Sequence, residues 1–163
     1  MRVLPLALAA LLLPVLARAD EPPVVDHQPA LCTVPEKPFS LCAEISDDRG
    51  VAAARLYFRK AGEDYYAFVD MAFTGVSYCA TLPAPREKTK AVEYYVQATD
   101  DAYQPTRTST YQIQVQPGCE FPPLEKNAAK AAAIKVFATD RKQGRKLDGA
   151  FASTGVTFVP VGP

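Results

Sequence analysis

Residues 39–60 read FSLCAEISDDRGVAAARLYFRK, and the period of their apolar positions decides the fold. Phe39, Leu41, Ala43 and Ile45 alternate with Ser40, Cys42, Glu44 and Ser46. Successive side chains of a strand point to opposite sides, so this alternation predicts a strand with one buried face. Asp47, Asp48, Arg49 and Gly50 then supply the residue types of a turn. Beyond it, Ala54, Leu56 and Phe58 take one face and Arg55, Tyr57 and Arg59 the other. Rows this short cannot form a core alone, and a second sheet must cover them.

The same period continues in both directions. A Pro-rich lead-in, DEPPVVDHQPA at residues 20–30, is expected to be extended, with a strand near residues 25–34. Downstream, a turn at residues 61–64 precedes a strand through Tyr65 to Met71, and Gly75 breaks the chain. Tyr78, Ala80 and Leu82 then alternate inward until Pro83 and Pro85 end the run. Val92, Tyr94, Val96 and Ala98 oppose Glu93, Tyr95 and Gln97, and Tyr111, Ile113 and Val115 form a last run before Pro117 and Gly118. About seven short strands with turn signals between them and no intervening helix predict an all-β two-sheet sandwich.

After Pro122 and Pro123 the pattern changes. LEKNAAKAAA at residues 124–133 favours a short helix. Ile134–Thr139 and Val156–Val159 resemble strands, separated by the basic run ATDRKQGRKLDGA. Residues 120–163 therefore read as a weakly ordered basic extension of mixed or irregular structure, with one helix and a hairpin. At the other end, Arg2, the apolar residues 3–16 and Ala17-Arg18-Ala19 have the form of a secretory signal peptide cleaved before Asp20. The apolar run is too short, and too broken by Pro5 and Pro14, to span a bilayer. The expected organisation is a signal peptide at 1–19, a sandwich domain at 20–119 and the extension at 120–163.

Composition supports this reading. Of 163 residues, 48% are hydrophobic and 22% charged, which excludes wholesale disorder, a coiled coil and a collagen-like fibre. Fifteen Pro, eight Gly, eight Phe and eight Tyr suit a turn-rich β protein. The charge divides unevenly: residues 20–119 hold 9 basic and 14 acidic groups, residues 120–163 hold 7 and 4. No concentrated positive patch of the kind nucleic acid needs is present in the sequence. Cys32, Cys42, Cys79 and Cys119 all follow the expected cleavage point, so two disulfides formed in an oxidising compartment are expected. Zinc is disfavoured, because no C-x-x-C pair occurs and the chain has a single His.

The succession PFSLCAEISDDRGVAAARLYFRK, GVSYCATLPA and AVEYYVQATD resembles the Ig-like, fibronectin type III-like modules of bacterial exported and surface proteins, over roughly residues 24–117. Tyr94 and Leu82 stand where the fibronectin pattern has its strand F Tyr and strand E Leu. Leu41 occupies the place of its usual core Trp, which points to a related Ig-like subgroup. The resemblance implies a domain that binds, spaces or presents rather than catalyses.

The A-B-E strand order of that group implies a disulfide pattern. If the inward rows set the register, Phe39 faces Leu82 and Cys42 faces Cys79, both cysteines pointing outward. Cys32 and Cys119 then meet at one pole. The rival pairing joins Cys32 to Cys42 and Cys79 to Cys119.

Candidate sites follow from the same topology. Asp47 and Asp48 share a pole with Asp100 and Asp101, giving four carboxylates of the kind that bind calcium, although Asp is also an ordinary turn residue. Tyr57, Tyr95 and Tyr103 are candidate binding residues, as outward or loop aromatics suited to sugars or partner proteins. Arg141, Lys142, Arg145 and Lys146 are candidates for contact with anionic envelope polymers or lipids. His27 lies in the lead-in with no nucleophile motif beside it, so a hydrolytic triad is not expected. Together these readings lead to a non-enzymatic interaction or adaptor module, periplasmic or extracellular, without a cofactor. Its expected partner is an envelope protein or polysaccharide, with neither nucleic-acid binding nor a transmembrane segment after signal removal. An accessory carbohydrate-binding domain is the alternative, and a small hydrolase using carboxylates ranks below it.

Overall fold

The computed structural model describes residues 19–120, 133–138 and 141–161. All but the last residue of the signal segment, and of the helix expected at 124–133, lie outside the described residues. The strands are β1 (Val24–Asp26), β2 (Cys32–Thr33), β3 (Phe39–Ser46), β4 (Val51–Lys60), β5 (Ala67–Asp70) and β6 (Ala72–Phe73). They continue with β7 (Tyr78–Leu82), β8 (Ala91–Asp100), β9 (Pro105–Arg107), β10 (Tyr111–Val115), β11 (Ile134–Ala138) and β12 (Val156–Pro160), and helix α1 (Arg141–Ala150) lies between the last two.

The strands form two packed sheets, an all-β sandwich. One sheet has the order β1-β3-β7-β6. The other runs β12-β11-β5-β4-β8-β10-β2, with β9 also paired to β8. The longest ladder joins β4 to β8 and sets Leu56 against Val96 and Phe58 against Tyr94. All four of these side chains are fully buried, as are Val92, Leu82 and Ile113. Each alternating row of the sequence is one wall of this core, and removing those side chains from water is the main force holding the sheets together. The lead-in forms two strands rather than one: β1 pairs with β3 in the first sheet and β2 with β10 in the second. Pro29 lies between them and offers no N–H to continue a ladder.

Residues 133–161 differ from the expected weakly ordered hairpin. β11 joins the large sheet through Phe137 opposite Phe68, and β12 runs parallel to β11. A parallel pair requires a crossover, and α1 supplies it. The basic run 141–146, which separates the two strands, forms the opening turns of that helix. Its helical character is carried by Leu147, Ala150 and Phe151, spaced to share one face and buried in the common core. The Phe151 ring meets that of Phe58 edge to face at 5.2 Å. A segment with few apolar residues is ordered because it completes an existing core instead of building its own.

Two disulfides brace the sandwich, Cys42–Cys79 between β3 and β7 and Cys32–Cys119 between β2 and the chain beyond β10. The first follows from register, since Phe39 faces Leu82 and Cys42 faces Cys79. The rival pairing of Cys32 with Cys42 is not the one formed. No described helix is long and apolar enough to cross a membrane.

Candidate binding surfaces

Among the described residues, the β8–β9 turn presents the most exposed large hydrophobic side chain. Tyr103 is 86% exposed and has φ 65°, a left-handed conformation that a bulky residue rarely adopts. Asp100 holds it there. The Tyr103 N–H donates to the Asp100 carbonyl at 3.3 Å, and the Asp100 carboxylate accepts from the Gln104 N–H at 2.7 Å and from Gln104 Nε2 at 3.1 Å. Asp100 itself is fully buried. A buried carboxylate satisfied in this way fixes the turn, and the turn fixes the ring in solvent.

Asp100 is thus a turn organiser. So is Asp47 in the β3–β4 turn, where its carboxylate accepts from the Arg49 and Gly50 N–H groups at 2.9 and 2.7 Å. Asp48 and Asp101 are exposed at this pole. Among the described residues no group of three or more His, Cys, Asp or Glu is placed to hold a metal ion, so the four aspartates are not assembled as a ligand set. Asp20 joins the pole through an ion pair with Arg49 at 3.0 Å. Burial raises its carboxyl above the ordinary value, Arg49 opposes this, and Asp100, Asp48 and Asp101 add to it.

Tyr57 and Tyr95 lie elsewhere, on the outer face of the large sheet. They are opposite one another in the β4–β8 ladder and stack at 4.7 Å with an interplanar angle of 8°. The row continues from Tyr57 to Phe68 at 5.2 Å and from Phe68 to Phe137 at 4.9 Å. The Arg107 guanidinium lies 3.8 Å from the Tyr95 ring centre, and Arg55 and Arg59 lie over Phe68 and Tyr66 at 4.8 and 4.3 Å. The rings therefore spend their faces on each other and on arginines. Tyr95 is 8% exposed, and burial raises its hydroxyl pKa against the opposing charge of Arg107. This is a packed cross-strand pile, not an open platform for a sugar ring.

The basic run is on α1, where the structure describes the side chain of Lys146 but not those of Arg141, Lys142 and Arg145. Lys146 pairs with Glu63 at 3.4 Å beside a notch that Lys60 and Tyr65 also line. The notch holds about 20 Å³, far below a small-molecule pocket.

His27 is a clasp between the sheets. Its Nδ1–H donates to the Cys42 carbonyl at 2.7 Å, which leaves Nε2 to accept from the Tyr94 hydroxyl at 2.7 Å. The Ala30 N–H donates to the same hydroxyl. Burial lowers the His27 pKa, while the Cys42 carbonyl and Asp26 oppose that shift.

No protein-family model matches the sequence, and no curated protein matches it. Among the solved structures similar to it is the SrpA adhesin of Streptococcus sanguinis, at 19% identity and a TM-score of 0.39, over 61% of this chain and 59% of that one. The chain thus spans less than two thirds of that adhesin chain, and a likeness at this level transfers no function.

Sequence reasoning singled out Tyr103 but not the reason it matters, which is the backbone hand set by Asp100. It passed over Lys60 and Asp20, whose roles come from neighbours far along the chain. Asp20 carried one signal: it is the first residue after the expected cleavage point.

Proposed function

We propose that this protein is an exported, non-enzymatic interaction module of the bacterial cell envelope, periplasmic or extracellular, and that it engages its partner through the pole that carries Tyr103. The observation behind this reading is the conformation of Tyr103. A left-handed backbone at a bulky residue costs about 1–3 kcal/mol, and strain of this kind collects where a side chain is needed for contact. At 86% exposed, the residue is almost wholly in solvent. Tyr is enriched among residues that dominate binding energy, because it adds a large apolar area with little entropy to lose. Exposed Asp48 and Asp101 beside it favour a partner surface with basic groups. Two disulfides and the sandwich provide a rigid mount for such a turn.

The test is retention of envelope proteins on the immobilised mature chain, compared with Tyr103→Gly. Loss of a salt-sensitive partner with Tyr103→Gly supports the reading. An unchanged set of partners overturns it, and retention on polysaccharide alone turns the reading to the carbohydrate-binding alternative.

A further inference from the structure

We infer that the Cys42–Cys79 disulfide is a thiol-exchange site for a cationic thiol, attacked at Cys42 from a groove on the outer face of the small sheet, where the chain leaves β1. This rests on features independent of Tyr103. Both cysteines point away from the core on the outer face of the small sheet, and Cys42 is exposed while Cys79, Cys32 and Cys119 are half-buried. An open groove of about 430 Å³ adjoins Cys42, lined by Asp26, Gln28, Pro29, Glu44 and Ser77 among others.

Position in the sheet gives the attack its direction. The order β1-β3-β7 puts Cys42 between Cys79 and the β1 side of the groove. Thiol–disulfide exchange needs the incoming sulfur in line with the bond that breaks, beyond the sulfur it attacks. By strand order, the side of Cys42 away from Cys79 is the β1 side, where residues 26–29 line the groove. The side of Cys79 away from Cys42 is the β6 side, where Ala72 is the cross-strand neighbour.

The leaving sulfur is also provided for. The Ser77 hydroxyl lies 3.5 Å from Cys79 Sγ, and a disulfide sulfur has no proton to give, so Ser77 is the donor. In the exchange the ligand thiolate forms a bond to Cys42 Sγ and the Cys42–Cys79 bond breaks. The electron pair departs with Cys79 Sγ as a thiolate that accepts the Ser77 hydrogen bond. The product is a ligand–Cys42 mixed disulfide. A second ligand thiolate attacking the ligand sulfur releases oxidised ligand and leaves both cysteines reduced, whereas return attack by Cys79 restores the starting bond.

Charge selects the ligand. Asp26 and Glu44 are directly opposite in the β1–β3 ladder, both exposed. Like charges in that relation repel, and a cation between them removes the repulsion. A thiol carrying a positive group is therefore concentrated at Cys42 and an anionic one is held off.

The experiment treats the oxidised protein with limiting cysteamine or 3-mercaptopropionate, with rates normalised to thiolate concentration and adducts located by peptide mass. The expected result is an adduct on Cys42, an intact Cys32–Cys119 bond and a preference for cysteamine. That preference falls by roughly fivefold for each carboxylate neutralised in Asp26→Asn and Glu44→Gln. Ser77→Ala slows exchange by roughly tenfold at unchanged thermal stability. An adduct on Cys79, earlier opening of Cys32–Cys119, or a cysteamine preference that survives both neutralisations overturns the inference.

Discussion

The Nε2 atom of His27 and the hydroxyl of Tyr94 are 2.7 Å apart, and this bond ties the lead-in segment of one sheet to the longest ladder of the other. Tyr94 is fully buried, and burial pushes its hydroxyl pKa well above the ordinary value, so it serves as a neutral donor at any physiological pH. The clasp therefore requires a neutral imidazole. A protonated His27 would present two donors, and its Nε2 could no longer accept from the Tyr94 hydroxyl.

Stability is expected to fall on mild acidification for this reason. The folded-state pKa of His27 lies below its ordinary value of 6.5, so the unfolded chain binds more protons between the two values. The contribution is complete above the ordinary value and is lost as pH falls through the folded-state value. Urea melts across this range should show a midpoint that declines with acid in the native chain, and the decline should flatten in His27→Gln. Parallel declines in both would show that His27 is not the group responsible.

Tyr103→Gly is expected to leave the fold as stable as before or more so, by up to about 1 kcal/mol, because glycine takes the left-handed conformation without steric cost. Thermal melts measure this. A clear loss of stability would mean that the ring packs against the domain, contrary to its exposure.

Phe151→Ala is expected to destabilise the whole domain by about 3–5 kcal/mol, since its ring lies in the common core against Phe58. Denaturation followed by tyrosine fluorescence should show one shifted transition. An unshifted main transition would place residues 133–161 outside the cooperative unit.

Arg107→Ala removes the guanidinium that lies 3.8 Å from the Tyr95 ring centre. A loss of about 0.5–2 kcal/mol is expected, together with a further rise of the Tyr95 hydroxyl pKa, because Arg107 is the charge that lowers it. Carbon NMR of labelled tyrosine reads the titration. An unaltered Tyr95 titration would show that the cation does not act on the ring.

By itself the sequence determined the sandwich and left two disulfide pairings open, Cys42–Cys79 under the strand order that the resemblance implied and Cys32–Cys42 as its rival. The period of two in Phe39–Ile45 and Tyr78–Leu82 is local, and once both rows face one core the register of the outward cysteines follows. Tertiary structure decided what depends on distant partners. The lead-in divided between two sheets at Pro29, and residues 141–150 became a helix because Leu147, Ala150 and Phe151 joined the common core, Phe151 against Phe58. Tyr57 and Tyr95 closed into a pile because their strands are neighbours in the ladder. The hand of the Tyr103 backbone came from the hydrogen bonds of buried Asp100, and the groove beside Cys42 from the placing of β1. In each case the interaction energy belongs to atoms brought together only when the chain folds, so no local pattern of residues encodes it.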